Sequence, residues 1–226
     1  MHTSRLQKAL SILANLAIVW MELKAIPLSW SGVHAQMFLF YTELSNLFAM
    51  GVCFVLALCQ LRALVTGGEV PAAVHTLKYV AACCLMLTFL TVVFVLAPMY
   101  GPDGHYVMLL TSSMLYNHFL NPVTAFLSLT LWERAPALPR HAPLWAMVPT
   151  LLYGSVMLAA NVAKVYKGPY PFLYVYEQPV WVSCLWVVLM LSGNALITMA
   201  VRRLAGGRLD GAGAFGYNKE KRPHRV

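Results

Sequence analysis

Six long apolar segments restrict the fold of this chain more than any other feature of its sequence. Each has roughly the 20 residues that an α-helix needs to cross the hydrocarbon core of a bilayer. They are Ala9–Ile26, Met37–Leu61, Tyr79–Ala97, Tyr106–Leu131, Leu144–Ala163 and Val180–Val201. Only 11% of the 226 residues are charged and 60% are hydrophobic, whereas a soluble domain carries about 25% charged residues. We therefore predict an all-α fold, a compact bundle of six transmembrane helices in a polytopic membrane protein.

The lysines and arginines predict the orientation of this bundle. With six spans both termini lie on one side, and 13 of the 16 basic residues fall there, including Lys78. Cytoplasmic loops retain positive charge, so we expect both termini in the cytoplasm. Residues 1–203 then form the membrane domain, and residues 204–226 form a basic, disordered cytoplasmic tail. The net charge of +8 reflects this topology, so we expect no nucleic-acid partner. The sequence does not predict an oligomeric state.

Four further expectations concern signal-peptide processing, two charged residues of the first segment, the cysteines, and metals or cofactors. The first apolar segment ends in Trp20-Met21-Glu22-Leu23-Lys24 without a small-residue cleavage site, so we expect it to be retained rather than removed as a signal peptide. We expect Glu22 and Lys24 to lie at the membrane interface. The five cysteines all fall within spans and are expected to pack as small apolar residues. His118 is the only histidine in a predicted span and has no second ligand at helical spacing, so we expect no metal and no cofactor.

Two short polar islands interrupt the apolar segments, and they are the best indication of function. The first is Tyr41-Thr42-Glu43-Leu44-Ser45-Asn46 and the second is Asn117-His118-Phe119-Leu120-Asn121-Pro122. Polar and ionisable side chains are costly at membrane depth, so they persist where they pair with each other or act on a substrate. Pro122 removes a backbone N–H and collides with the carbonyl of residue 118, which predicts a kink at His118.

The residue types suit acyl transfer on a lipid. Thr42 is the candidate nucleophile and His118 the candidate base, because a neutral imidazole can take the proton of a hydroxyl. Helix rise places the two at similar depths, about 8 Å apart along the membrane normal. Asn46 or Asn121 could donate to the oxyanion. The other polar island residues are expected to support the site: Glu43, Ser45 and Asn117.

The islands and an outer loop together resemble a known family. Tyr41-Thr42-Glu43-Leu44-Ser45-Asn46-Leu47 is similar to its Tyr/Phe-Thr-x-x-Ser-Asn-Leu stretch in span two. Asn117 to Pro122 resembles its histidine-then-proline motif in span four, and Tyr170-Pro171-Phe172-Leu173 resembles its Tyr-Pro-Phe-Leu motif before the last span. This is the androgen-induced-gene-like group of six-span membrane proteins and its bacterial relatives.

The resemblance implies an intramembrane threonine hydrolase of the bacterial inner membrane. Animal members cleave fatty acid esters of hydroxy fatty acids with a span-two threonine and a span-four histidine, which correspond to Thr42 and His118. A lipid or fatty-acyl ester is then the expected substrate. The loop that contains Tyr170, Phe172 and Tyr174 is expected to cover the site. Relatives tend to have an acid where this chain has Tyr174. If that acid orients the base or binds substrate, either Glu177 or Glu43 replaces it here or the activity differs.

Two other functions remain open at this stage. A proton-coupled transporter would use Glu43 and His118 as a relay, although the chain lacks the paired broken helices typical of such transporters. A non-catalytic lipid-binding protein would use every polar group only to join helices.

Overall fold

The structure is a computed structural model that describes residues 5–133 and 138–206. Within those ranges the chain is helical and contains no strand. The helices are α1 (Arg5–Val33), α2 (Tyr41–Thr66), α3 (Ala72–Thr91), α4 (Ala97–Met99), α5 (Gly104–Leu110), α6 (Ser112–Met114), α7 (Asn121–Leu127), α8 (Ala142–Val162) and α9 (Val180–Leu204). The predicted tail lies outside the described residues from position 207 onward.

Five helical units in the described part of the chain are long and apolar enough to cross a membrane. They are Arg5–Leu39, Tyr41–Thr66, Ala72–Met99, Ala142–Val162 and Val180–Leu204. They correspond to the first, second, third, fifth and sixth apolar segments of the sequence. The predicted all-α fold with several membrane-length helices is therefore confirmed, and the chain has the character of a multi-pass membrane protein.

The fourth apolar segment differs from the single helix that was predicted. α5 ends at Leu110, Thr111 is extended with φ −115° and ψ 145°, and Ser112 has a φ of +46°. The chain is then helical from Ser112 to Trp132, with wide π turns at Leu115–Leu120 and Ser128–Trp132. The first π turn contains His118 and ends just before Pro122, so the helix is distorted where the missing proline N–H predicts it.

α3 is the central helix of the bundle. It packs against α2, α7, α8 and α9, and most of its side chains are buried. Ala81, Ala82, Cys83 and Cys84 form a run of small buried residues on this helix. Small side chains let neighbouring helices approach closely without a hydrophobic driving force from water. These two cysteines are unpaired and buried, as expected of packing residues.

A buried ion pair joins α1, α3 and the end of the fourth segment. Lys78 was expected among the cytoplasmic charges, but its side chain is fully buried and its Nζ lies 3.5 Å from Glu133 Oε1. Lys78 also donates to Asn15 Oδ1 at 2.7 Å, and Asn15 and Ser128 both donate to Glu133 Oε1. Sequence position alone could not indicate that Lys78 turns inward toward an acid 55 residues away. We call these four residues the Lys78 cluster.

Gly104 begins α5 at a point of very close backbone approach. A Cβ placed there would lie 1.9 Å from the carbonyl oxygen of Ala97. Only glycine allows α5 to fold back against α4 at this distance. Gly51, in the middle of α2, has open space around the same position.

Replacing Gly104 with alanine should therefore destabilise the fold, by about 1–3 kcal/mol for an overpacked site. The Gly51→Ala variant is the matched control, and it should leave the melting temperature unchanged or raise it slightly because alanine favours helix. Thermal unfolding in detergent measures both. Equal melting temperatures for Gly104→Ala and Gly51→Ala would contradict the close approach.

Removing the charge of Lys78 should be more costly than removing both charges of its pair. Lys78→Met leaves Glu133 buried without its cation, at a cost of about 3–5 kcal/mol. The double variant Lys78→Met/Glu133→Gln should recover part of that loss in the same unfolding assay. If the loss of stability in the double variant equals the sum of the losses in Lys78→Met and Glu133→Gln, the two side chains do not form a buried ion pair.

Candidate functional site

The two polar islands meet inside the bundle, together with one acid from α1. Glu22 on α1, Glu43 and Asn46 on α2, and Asn117 and Asn121 on the fourth segment are all buried and hydrogen-bonded to one another. We call these five residues the amide–carboxyl cluster. The two polar islands therefore contact each other through Glu43, Asn46, Asn117 and Asn121.

Asn46 is the central member of this cluster. Its Nδ2 donates to the carbonyl of Thr42 at 2.9 Å and to the carbonyl of Asn117 at 3.1 Å. Its Oδ1 accepts from Asn121 Nδ2 at 3.0 Å. One side chain thus ties the backbone of both islands together, and it does so between Thr42 and the residue next to His118.

The two acids each bond to one asparagine. Asn117 Nδ2 donates to Glu43 Oε1 at 3.0 Å, and Ser29 on α1 donates to the same oxygen at 2.6 Å. Asn121 Nδ2 donates to Glu22 Oε2 at 3.0 Å. These bonds connect α1, α2 and the fourth segment.

The prediction of an interfacial Glu22 is wrong. Its side chain has no exposed surface, because α1 continues to Val33 and directs Glu22 toward α2 and the fourth segment. Ser29 lies seven residues later on the same face of the helix, which is a signal that the sequence offered. Lys24, two residues away, is exposed as expected and its Nζ lies 5.9 Å from the Trp20 ring centroid.

Thr42 lies in the first turn of α2 and is buried. The first N–H groups of a helix have no partner within the helix, and the Thr42 N–H donates to the Tyr170 hydroxyl at 3.4 Å. Thr42 Oγ1 lies 3.4 Å from the same hydroxyl. Ser45 Oγ donates to the Thr42 carbonyl at 2.9 Å. Ser45 therefore supports the backbone of Thr42 and does not reach its hydroxyl.

An apolar cavity opens beside Thr42. Its volume is about 190 Å³, and it lies between α2, α3, α8 and α9 under the loop that follows α8. Leucine, valine and aromatic side chains form most of its wall, and Thr42 and Tyr170 are two of the nine serine, threonine and tyrosine residues that line it. Such a cavity can hold a hydrocarbon chain.

The loop after α8 covers this cavity through two of its three candidate residues. Tyr170 is buried and stacks on Phe172 with ring centroids 5.2 Å apart, and both line the cavity. Burial raises the pKa of Tyr170, so its hydroxyl stays protonated. Tyr174 instead packs under Lys167, whose Nζ lies 4.1 Å from its ring centroid. Glu177, considered as a substitute acid, pairs with Lys167 at 2.6 Å on the surface.

His118 is buried beside the amide–carboxyl cluster but does not line the cavity. Its Nδ1 lies 2.7 Å from the carbonyl oxygen of Met108, and a carbonyl can only accept, so Nδ1 carries the hydrogen and Nε2 is the free acceptor of a neutral ring. Met108 packs against the same apolar group as Tyr170. Within the described ranges no hydrogen bond joins Thr42 to His118, and Asn46 bridges their two helices.

The two asparagines suggested as oxyanion donors are already engaged. Both amide hydrogens of Asn46 and both of Asn121 have acceptors within or beside the cluster. The donors nearest to Thr42 Oγ1 are the Tyr170 hydroxyl and the Thr42 N–H. In the described part of the chain, no group of three or more His, Cys, Asp or Glu side chains could hold a metal ion.

Comparison with known proteins adds no relative. No family model matches the chain, no curated protein is significantly similar to it, and no solved structure matches it.

Replacing Asn121 with leucine tests whether the amide–carboxyl cluster holds the helices together. The change leaves Glu22 Oε2 and Asn46 Oδ1 without a donor, and each lost partner of a buried polar group costs about 1–3 kcal/mol. Asn194→Leu is the matched control, because Asn194 is also buried but both of its amide atoms lack a partner. Thermal unfolding should show a loss only for Asn121→Leu. A loss that is equal in both variants would contradict the role of the cluster.

Proposed function

We propose that this chain is an intramembrane lipid-ester hydrolase that uses Thr42 as its nucleophile. The observation that carries the proposal is the position of the Thr42 hydroxyl, in the lining of an apolar cavity and 3.4 Å from the Tyr170 hydroxyl. A fatty-acyl ester fits this combination, since its chain needs an apolar cavity and its carbonyl needs a nucleophile beside hydrogen-bond donors.

The proposed reaction has two steps. Thr42 Oγ1 attacks the ester carbonyl while His118 Nε2 takes the hydroxyl proton. Tyr170 O–H and the Thr42 N–H stabilise the oxyanion. The tetrahedral intermediate expels the alcohol, which receives the proton from His118, and the acyl group remains on Thr42. Water activated by His118 then releases the fatty acid and restores the threonine.

The first step requires a proton to pass from the Thr42 hydroxyl to His118 Nε2, which lie on the two helices that Asn46 bridges. Catalytic hydrogen bonds are often long or absent in the free enzyme and form when substrate binds. The bond from His118 Nδ1 to Met108 O directs the acceptor nitrogen away from that carbonyl and fixes the tautomer. A bridging water molecule or a movement of the imidazole on substrate binding would have to complete the transfer.

The resemblance to the androgen-induced-gene-like group belongs to this proposal, as does the topology. Ser112–Trp132, which is fourth in chain order, is the additional span that brings the total from five to six. The polar residues of its island account for its lower hydropathy. With six spans, the bias of lysine and arginine puts both termini in the cytoplasm. Thr42, Tyr170 and Lys167 then lie toward the outer side of a bacterial inner membrane.

Labelling with a fluorophosphonate probe tests the proposal. Purified protein should be modified at Thr42, which peptide mapping identifies. Thr42→Ala should abolish labelling. His118→Ala should slow it by about 10²–10⁴-fold as expected for a lost general base. Tyr170→Phe should slow it by about 10²-fold because an oxyanion donor is removed.

The matched control is Thr130→Ala, which removes a hydroxyl that only bonds to its own preceding turn. It should label like the wild type. Equal labelling of Thr42→Ala and wild type would rule out the threonine mechanism. A probe-silent protein that still binds fatty-acyl esters would instead be a non-catalytic lipid-binding protein, and one that takes up solute in vesicles only with Glu43 intact would be a transporter.

A further inference from the structure

Glu22 and Glu43 have no basic partner in a part of the protein where charge is costly. Both are less than a tenth exposed, and a series of hydrogen bonds through Asn121, Asn46 and Asn117 connects the two carboxyl groups. In the described ranges the ion pairs are Lys78 with Glu133 and Lys167 with Glu177. Burying two adjacent uncompensated charges would cost several kcal/mol for each ion.

The unpaired atoms of the amide–carboxyl cluster form a matched set. Four buried oxygens there lack any hydrogen-bond donor: Glu22 Oε1, Glu43 Oε2, Asn117 Oδ1 and Asn121 Oδ1. Each unpaired carboxyl oxygen belongs to the same acid whose other oxygen accepts from an asparagine. The unpaired amide oxygen belongs to that same asparagine. Each of the two acid–amide pairs, Glu22 with Asn121 and Glu43 with Asn117, therefore has two unpaired oxygens and no hydrogen between them.

One proton on each acid would supply the missing hydrogen for all four oxygens, if each acid shares it with the asparagine that it already contacts. Protonated Glu22 Oε1 donates to Asn121 Oδ1 while Asn121 Nδ2 donates back to Glu22 Oε2. Protonated Glu43 Oε2 donates to Asn117 Oδ1 while Asn117 Nδ2 donates back to Glu43 Oε1. Each acid and amide then form a closed ring of two hydrogen bonds, and the cluster carries no charge.

Glu133 shows the contrasting arrangement in the same bundle. It is equally buried and, like the other two acids, it has one oxygen, Oε2, without a donor. Its other oxygen, however, lies 3.5 Å from the ammonium group of Lys78 and accepts from Asn15 and Ser128. The asparagine beside it gives its oxygen to Lys78, so no amide oxygen is left to receive a proton from the acid. Glu133 therefore has a cation as its partner, where Glu22 and Glu43 each have an amide.

We infer that Glu22 and Glu43 form a proton-binding site that holds two hydrogen ions, one in each acid–amide pair with Asn121 and Asn117. The site is independent of whether Thr42 hydrolyses an ester. Asn46 connects it to the backbone of Thr42 through one hydrogen bond on each side. Loss of either proton would place a bare carboxylate within this network.

Infrared spectroscopy of the purified protein at neutral pH tests the inference directly. Wild type should show the carbonyl stretch of protonated carboxylic acids, and this band should shift when the glutamates carry ¹³C. Glu22→Gln and Glu43→Gln should each lose part of the band, and the double variant should lose it. Glutamine reproduces the shape and the donor of a protonated glutamate, so these variants should melt at the wild-type temperature.

Glu133→Gln is the matched control, since it removes a buried acid that is paired with lysine, and the band should persist in it. The inference fails if folded wild type shows no such band, or if the band is as strong in the double variant. It also fails if Ca²⁺ or Mg²⁺ raises the melting temperature of wild type and chelation lowers it, because the four oxygens would then hold a metal ion. The ¹³C measurement needs no variant, so the absence of a shifting band in folded wild type overturns the inference even if a variant does not fold.

Discussion

Hydrogen bonds between buried polar side chains hold this bundle together, because an apolar environment offers no water to replace a missing partner. An unpaired buried group costs far more than a paired one gains. In this chain, two clusters of buried polar side chains provide such partners. The Lys78 cluster joins α1 and α3 to the end of the fourth segment, and the amide–carboxyl cluster joins α1, α2 and the start of that segment. The apolar helices pack around these two fixed points.

The amide–carboxyl cluster also decides where Thr42 can be. Asn46 holds the Thr42 carbonyl from one side, and Ser45 holds the same oxygen from its own turn. The threonine is thus fixed at the start of α2, where a helix has free N–H groups and a positive dipole end. A reactive hydroxyl and a site for negative charge come from the same residue. The polar network beneath Thr42 provides its position, and the apolar cavity above it provides room for a chain.

Hydropathy was enough to predict the helical fold, because the length of an apolar run nearly determines a membrane helix. It also pointed to both polar islands. It could not tell which face of α1 carries Glu22, since an acid near the end of an apolar run fits the interface as well as the interior. Nor could it show that the Lys78 side chain is buried and pairs with Glu133. The break at Thr111 was missed because it depends on how α5 folds back on α4, which is a tertiary effect that Gly104 permits.

All amide hydrogens of Asn46 and Asn121 already have acceptors, and this limits which groups can stabilise the oxyanion in the proposed reaction. The amides of Asn46 and Asn121 cannot turn to an oxyanion without giving up a buried acceptor, so the donors must come from outside the cluster. Tyr170 is such a donor, and it belongs to the loop that covers the cavity. In the proposed reaction the group that closes the cavity also stabilises the charge. In this reaction an incoming acyl chain displaces the loop, and Thr42 then lacks its nearest hydroxyl donor. The oxyanion site is complete only when the loop has closed over the bound substrate.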